Sequence, residues 1–69
     1  MDYSNEIQCV LLQEQGVLPQ RVLREKVMQL ATDRGETFNN AGYFGALDVL
    51  IRLYRIKPED GKWVLLGRR

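Results

Sequence analysis

The segment Pro58-Glu59-Asp60-Gly61 constrains the fold most, because it separates two short runs of strand-forming residues. Proline fixes one backbone dihedral, aspartate bonds to local backbone, and glycine adopts positive φ at little cost, so the tetrapeptide is typical of a β-turn. The flanking runs are Arg55–Lys57 and Lys62–Leu66. We therefore predict a C-terminal β-hairpin. An isolated hairpin is marginal in water, so it must pack against the rest of the chain.

Three segments with helical spacing precede the hairpin. In each of them apolar residues recur at three- and four-residue steps, which is typical of a half-buried helix. We expect helices over about Asn5–Gln15, Pro19–Arg34 and Asn40–Tyr54, the first two ended by Gly16 and Gly35. A chain of 69 residues has room for one core only. The prediction is one α+β, mainly α domain covering residues 1–69, in which a three-helix bundle is followed by the hairpin.

The third helix is the element with the most specific expectations. Asn39 is its expected N-cap, and Phe38 before the cap is expected to pack on Tyr43 as a hydrophobic staple. Helical spacing places Phe44 and Leu47 on the apolar stripe, which leaves Tyr43 on the other, exposed face.

Two glycines and one tryptophan add expectations about packing. Gly42 and Gly45 each cost about 1 kcal/mol relative to alanine inside a helix, so they indicate close approach of another surface, such as the second helix. Trp63 is the expected anchor of the hairpin on the helices.

The side-chain inventory excludes most enzyme classes. The chain has no histidine and a single cysteine, Cys9, so an internal disulfide and the usual zinc ligand sets are excluded. Histidine-dependent acid/base and nucleophilic chemistry is excluded for the same reason. No apolar run approaches the roughly 18 to 20 residues that cross a bilayer. We expect a cytoplasmic protein that is not an enzyme, holds no metal or cofactor, and has no membrane partner.

The charge is unevenly distributed although the total is only +1. Residues 1–19 carry a net charge of −3, residues 20–50 are neutral, and residues 51–69 carry +4. A positive C-terminal end is compatible with a negatively charged partner, and it is also common as a solvated surface.

In the order of its elements the chain resembles the winged-helix branch of the helix-turn-helix superfamily. The residues that carry the resemblance are Ala46-Leu47-Asp48-Val49-Leu50, then Leu53-Tyr54-Arg55-Ile56, the turn at Gly61, and Trp63-Val64-Leu65. In that superfamily such a stretch is the end of a recognition helix that passes into a wing. No subfamily is indicated.

The resemblance implies a small regulator that binds double-stranded DNA, with homodimerisation as a further expectation. The helix that begins near Asn39 would enter the major groove, and the segment Lys57–Lys62 would be the tip of the wing. Asparagine pairs bidentately with adenine, and the cations neutralise phosphates. The candidate DNA-binding residues are Asn39, Asn40, Tyr43, Arg52, Arg55, Lys57, Lys62, Arg68 and Arg69.

A protein-interaction module is the competing hypothesis. The presumed recognition helix has no Arg or Lys in its first three turns, and Asp48 would lie close to the negatively charged DNA backbone. Aromatic residues exceed what so small a core must hold, and aromatic surface is of the kind that anchors protein interfaces. The candidates are Tyr3, Tyr43 and Tyr54, with Phe38 or Trp63 as further ones. Under this hypothesis the chain is an adaptor or inhibitor of a larger protein, such as phages and plasmids encode.

Overall fold

The computed structural model describes residues 1–67, and Arg68 and Arg69 lie outside the described residues. Three helices pack together and carry a three-stranded antiparallel sheet, so the α+β, mainly helical class is confirmed. No helix in the described part of the chain is long and apolar enough to cross a membrane. The elements in chain order are α1 Tyr3–Gln13, β1 Val17–Pro19, α2 Gln20–Asp33, α3 Asn40–Arg52, β2 Ile56–Glu59 and β3 Lys62–Leu65.

The helix ends follow from local hydrogen bonding. The carboxylate of Asp2 accepts a hydrogen bond from the Asn5 N–H, so α1 begins two residues earlier than predicted. Asn39 caps α3 as predicted, because its side-chain oxygen accepts from the Gly42 N–H at 3.0 Å. This helix ends at Arg52, and Tyr54 lies beyond it with a positive φ of 56°.

The sheet contains one strand that the sequence pattern did not indicate. β1 pairs antiparallel with β3, with Leu18 opposite Trp63, and the strand order is β1-β3-β2. The predicted hairpin is confirmed, and its turn residues Asp60 and Gly61 both have positive φ, as a two-residue hairpin turn requires. Both edge strands contain a proline, Pro19 in β1 and Pro58 in β2.

The core lies between the three helices and the inner face of the sheet. Trp63 is only 9% exposed and belongs to the core, so the prediction that it anchors the hairpin is confirmed. The predicted stripe of α3 is wrong by one residue, because Tyr43 is buried whereas Phe44 is 54% exposed. Leu47 belongs to the predicted stripe and to the observed one. The Tyr43 ring is buried between the rings of Tyr3 and Phe38.

The two glycines of α3 have different surroundings. A Cβ on Gly42 would lie 3.1 Å from the Tyr3 ring, so close approach is confirmed there, and the neighbour is α1 instead of α2. A Cβ on Gly45 would meet nothing within 4 Å, so the same expectation is wrong for Gly45.

Candidate nucleic-acid interface

The hairpin turn is tied directly to the start of α2. The Gln20 N–H donates a hydrogen bond to the Gly61 carbonyl oxygen at 3.0 Å. Lys62 follows Gly61 and lies opposite Pro19, the residue before α2. The hairpin tip and the first turn of α2 therefore form one continuous surface, which we call the α2–hairpin surface. Its polar members are Gln20, Arg21, Arg24, Asn40 and Lys62.

Arg24 connects this surface to the first turn of α3. Its Nη2 donates to the Asn40 side-chain oxygen at 2.5 Å, and its guanidinium carbon lies 5.3 Å from the centre of the Phe38 ring. Its Nη1 lies 3.3 Å from the Met28 sulfur. Neutral groups on three sides therefore fix the position of this half-buried cation. Sequence reasoning missed Arg21 and Arg24 because a polar helix face does not reveal which neighbour it adjoins.

The paired asparagines have specific roles in the structure. Asn39 uses its side-chain oxygen as the helix cap, and its backbone N–H donates to the Tyr3 hydroxyl at 2.8 Å. Asn40 is exposed, but its side-chain oxygen already accepts from Arg24. Bidentate pairing with adenine needs an amide N–H and the oxygen, and this oxygen has one lone pair left beside the contact to Arg24, so the geometry of that contact restricts the orientation of Asn40.

Tyr43 is not an exposed contact residue, and that part of the prediction is wrong. Its side chain is 1% exposed, because the rings of Tyr3, Phe38 and Phe44 pack around it. Its hydroxyl is buried without a hydrogen-bond partner. Burial raises the pKa of Tyr43 to about 12 against the opposing effect of Arg24, so the hydroxyl stays protonated at neutral pH.

The predicted C-terminal cations do not act as one free positive cluster. Arg52 pairs with Asp48 at 3.0 Å, and Lys57 pairs with Glu59 at 3.2 Å. Lys62 makes no ion pair with any of residues 1–67. Lys57 and Lys62 lie on the same face of the hairpin. Lys57 pairs with Val64, and Val64 and Lys62 flank the inward-facing Trp63 along β3.

The outer face of α3 has mostly short side chains and no net charge. Opposite the buried stripe the helix carries Ala41, Gly45, Asp48 and Arg52, all exposed. The one cation of this face is neutralised by the one anion at exposed positions, where such a pair contributes little to stability. The exposed apolar side chains of Phe44 and Val49 border this face, so it carries few side chains that could recognise individual bases.

Arg55 lies in a different region of the molecule. It lines a groove of about 460 Å³ between α1, the end of α3 and the end of β3, which we call the α1–β3 groove. Leu12, Leu53 and Tyr54 are exposed along this groove, and Tyr54 is 83% exposed. Within residues 1–67 the groove is lined by Gln8, Cys9, Leu12, Leu53, Tyr54, Arg55, Leu65, Leu66 and Gly67.

Within residues 1–67 no group of three or more Cys, Asp or Glu side chains is arranged to hold a metal ion. Comparisons with protein-family models, with curated proteins and with solved structures find no match for this chain. A function must therefore be inferred from the side chains and surfaces described above.

Proposed function

We propose that this protein is a winged-helix DNA-binding regulator whose main contact is the α2–hairpin surface. The observation that carries the proposal is the hydrogen bond from the Gln20 N–H to the Gly61 oxygen, which brings the hairpin tip beside the first turn of α2. Arg21 and Arg24 line one pocket together with residues of the first turns of α3, and Lys62 lies opposite Pro19 at the start of α2. Separate cations along one edge of a helix suit a phosphate backbone.

The order of the elements supports the winged-helix part of the proposal. A short strand lies between α1 and α2, α3 follows, and a hairpin pairs with that first strand through β3. In this arrangement α3 is the recognition helix and the hairpin is the wing.

The side chains favour contacts to phosphates over contacts to bases. The outer face of α3 has no net charge and few polar side chains, so few of its groups distinguish base pairs. The cations of α2 and of the hairpin lie beside the helix instead. We therefore expect weak sequence preference and strong dependence on salt, as in binding dominated by backbone contacts.

The test is binding to a random-sequence duplex, measured by fluorescence anisotropy from 25 to 300 mM KCl. Four contacts from Arg21, Arg24, Lys57 and Lys62 predict a log-log slope of about −3.6. The double variant Arg21→Gln/Lys62→Gln is expected to lose roughly tenfold or more in affinity and to reduce the slope by about 2.

The matched control is Lys26→Gln/Arg34→Gln, which removes the same charge. Lys26 pairs with Glu14, which follows α1, and Arg34 pairs with Glu6 of α1, both away from the α2–hairpin surface. The control is expected to bind DNA nearly as tightly as the unaltered protein. Equal losses in the two double variants would show a charge effect without a defined surface, and absence of binding at 25 mM KCl would contradict the proposal.

A protein-interaction module is the second candidate, and the α1–β3 groove favours it. Three exposed apolar side chains border this groove, and among residues 1–67 its lining contains the cation Arg55 and no carboxylate. The fitting partner is an apolar segment that carries acidic residues. Homodimerisation stays a prediction, and sedimentation of the purified protein between 1 and 200 µM distinguishes it from binding to another protein.

A further inference from the structure

A second, smaller pocket of about 260 Å³ lies where α2, α3 and β3 meet. Phe44, Leu47 and Trp63 form its apolar walls, and Arg21 and Arg24 lie along one side. Apolar walls with a few convergent polar groups are typical of small-molecule sites. The pocket is large enough for a small organic molecule and is distinct from the α1–β3 groove.

Arg24 is a half-buried cation without an acidic partner. No carboxylate within residues 1–67 lies within 4 Å of its guanidinium nitrogens, although Arg21, Lys26, Arg34, Arg52 and Lys57 all have one. Its contacts to Asn40, Phe38 and Met28 hold it in place without neutralising it. A fixed and partly desolvated guanidinium is well suited to bind a carboxylate from outside the chain.

Two further features complement an anion at the same place. Tyr43 forms part of the pocket wall, and its buried hydroxyl has a proton to donate and no partner within the described chain. The start of α2 has Pro19 at the N-cap position, no capping side chain and no acidic residue in its first turn. The positive end of the helix dipole is therefore uncompensated beside the pocket.

We propose that this pocket binds a small aromatic carboxylate. The carboxylate pairs with Arg24, and the ring packs against Trp63 and Phe44. The Tyr43 hydroxyl is buried in the unliganded protein, and it donates to the carboxylate once the side chains that cover it move aside. Binding of this ligand does not depend on the proposed DNA function. One consequence does rest on that function: a ligand that neutralises Arg24 lowers the affinity for DNA, and DNA lowers the affinity for the ligand by the same factor.

The test titrates the full-length protein, without DNA, with 4-fluorobenzoate. Ligand ¹⁹F line broadening and the shift of the Trp63 indole N–H signal report binding, and Trp63 is the only tryptophan of the chain. We expect a Kd on the order of 1 mM for a ligand of this size. The neutral analogue 4-fluorobenzyl alcohol is expected to bind at least tenfold more weakly. No binding of the carboxylate up to 20 mM, or equal binding of the two compounds, overturns the proposal.

Three variants separate a specific site from a general effect of charge. Arg24→Gln is expected to weaken binding of 4-fluorobenzoate about tenfold or more, and Tyr43→Phe about three- to fivefold. Tyr43→Phe removes a hydroxyl that has no partner, so its thermal midpoint should be unchanged or higher, which excludes misfolding as the cause. Lys26→Gln, on the α1-facing side of α2, should leave the affinity unchanged. Unaltered affinity in Tyr43→Phe and Arg24→Gln overturns the assignment.

The effect on DNA is measured separately, by anisotropy of the labelled duplex with and without 10 mM 4-fluorobenzoate at constant ionic strength. A rise in the apparent Kd for DNA, absent in Arg24→Gln, supports the coupling. Ligand binding without an effect on DNA shows that the site exists and that the coupling is wrong. If the protein does not bind DNA at all, the ligand titration still tests the pocket.

Discussion

The two ends of α3 differ in how many of their side chains make contacts within the protein. At the N-terminal end Asn39 caps the helix, Tyr3 accepts from the Asn39 N–H, and Arg24 holds Asn40. At the C-terminal end Leu53 and Tyr54 are exposed beside the α1–β3 groove. The first end is therefore organised before any partner arrives, whereas the second presents apolar surface that the chain itself does not cover.

Aromatic packing is the physical basis of this difference. The ring centres of Tyr3 and Phe38 lie 5.7 Å apart, and those of Phe38 and Tyr43 lie 5.5 Å apart. Such pairs are worth about 0.5–1.5 kcal/mol each beyond the area they bury. The cluster orders the loop before α3 and so determines where Arg24 and Asn40 lie. Tyr54 has no comparable ring contact.

The largest expected effect that sharpens the comparison is on stability. Trp63→Ala removes a buried wall near the N-terminal half of α3 and is expected to cost about 3–5 kcal/mol of unfolding free energy. Leu53→Ala, at the other end, alters a side chain that is 59% exposed and should cost about 0.5 kcal/mol or less. Urea denaturation followed by circular dichroism measures both. Similar losses would mean that the two ends are equally well packed.

A smaller effect on the unfolding free energy is expected when the two glycines of α3 are replaced in turn. Gly45→Ala adds a Cβ into open space and should raise the unfolding free energy by about 1 kcal/mol through helix propensity. Gly42→Ala makes the same change where the Tyr3 ring lies 3.1 Å away, so the gain should be reduced or reversed. The two variants compared under identical denaturing conditions are each other's control. Equal gains would contradict the close packing of α1 on α3.

The smallest expected effect concerns Tyr54 and the open end. Its positive φ is costly for a residue with a side chain, so Tyr54→Gly should raise the unfolding free energy by about 0.5–1 kcal/mol. If the α1–β3 groove binds a partner, the same change should weaken that binding, because it removes the most exposed aromatic ring of the groove. Thermal denaturation gives the first quantity, and sedimentation across a concentration series detects any self-association that is lost. A loss of stability would show that the Tyr54 ring makes contacts that hold the fold together.

Helical periodicity and the residues typical of turns were sufficient to predict most of the fold. The range predicted for α2 agrees with the structure to within one residue at each end, and the Asn39 cap and the hairpin turn are as expected. These features depend on residues close together in the sequence, so a single chain contains the information. The strand β1 was missed because three residues are too few to show a period, and its pairing with β3 joins segments more than 40 residues apart.

The candidate site was less accessible from the sequence. Two stripes of α3, one through Tyr43 and one through Phe44, fit the same helical spacing, and only the position of Tyr3 on α1 decides between them. The contacts of Arg24 could not be predicted from the sequence for a related reason, because its neighbours belong to three different segments. The positive charge of residues 51–67 was evident, but its local pairing with Asp48 and Glu59 was not.

The prolines in the two outer strands limit how this molecule can associate with copies of itself. Each edge lacks one backbone donor, at Pro19 on one margin and at Pro58 on the other, so neither margin can template a regular continuing ladder. Growth of the sheet from molecule to molecule, the usual route to fibrils in small β-containing domains, is thereby discouraged at both sides. Any lasting assembly has to form through side chains, where a few substitutions can tune its strength.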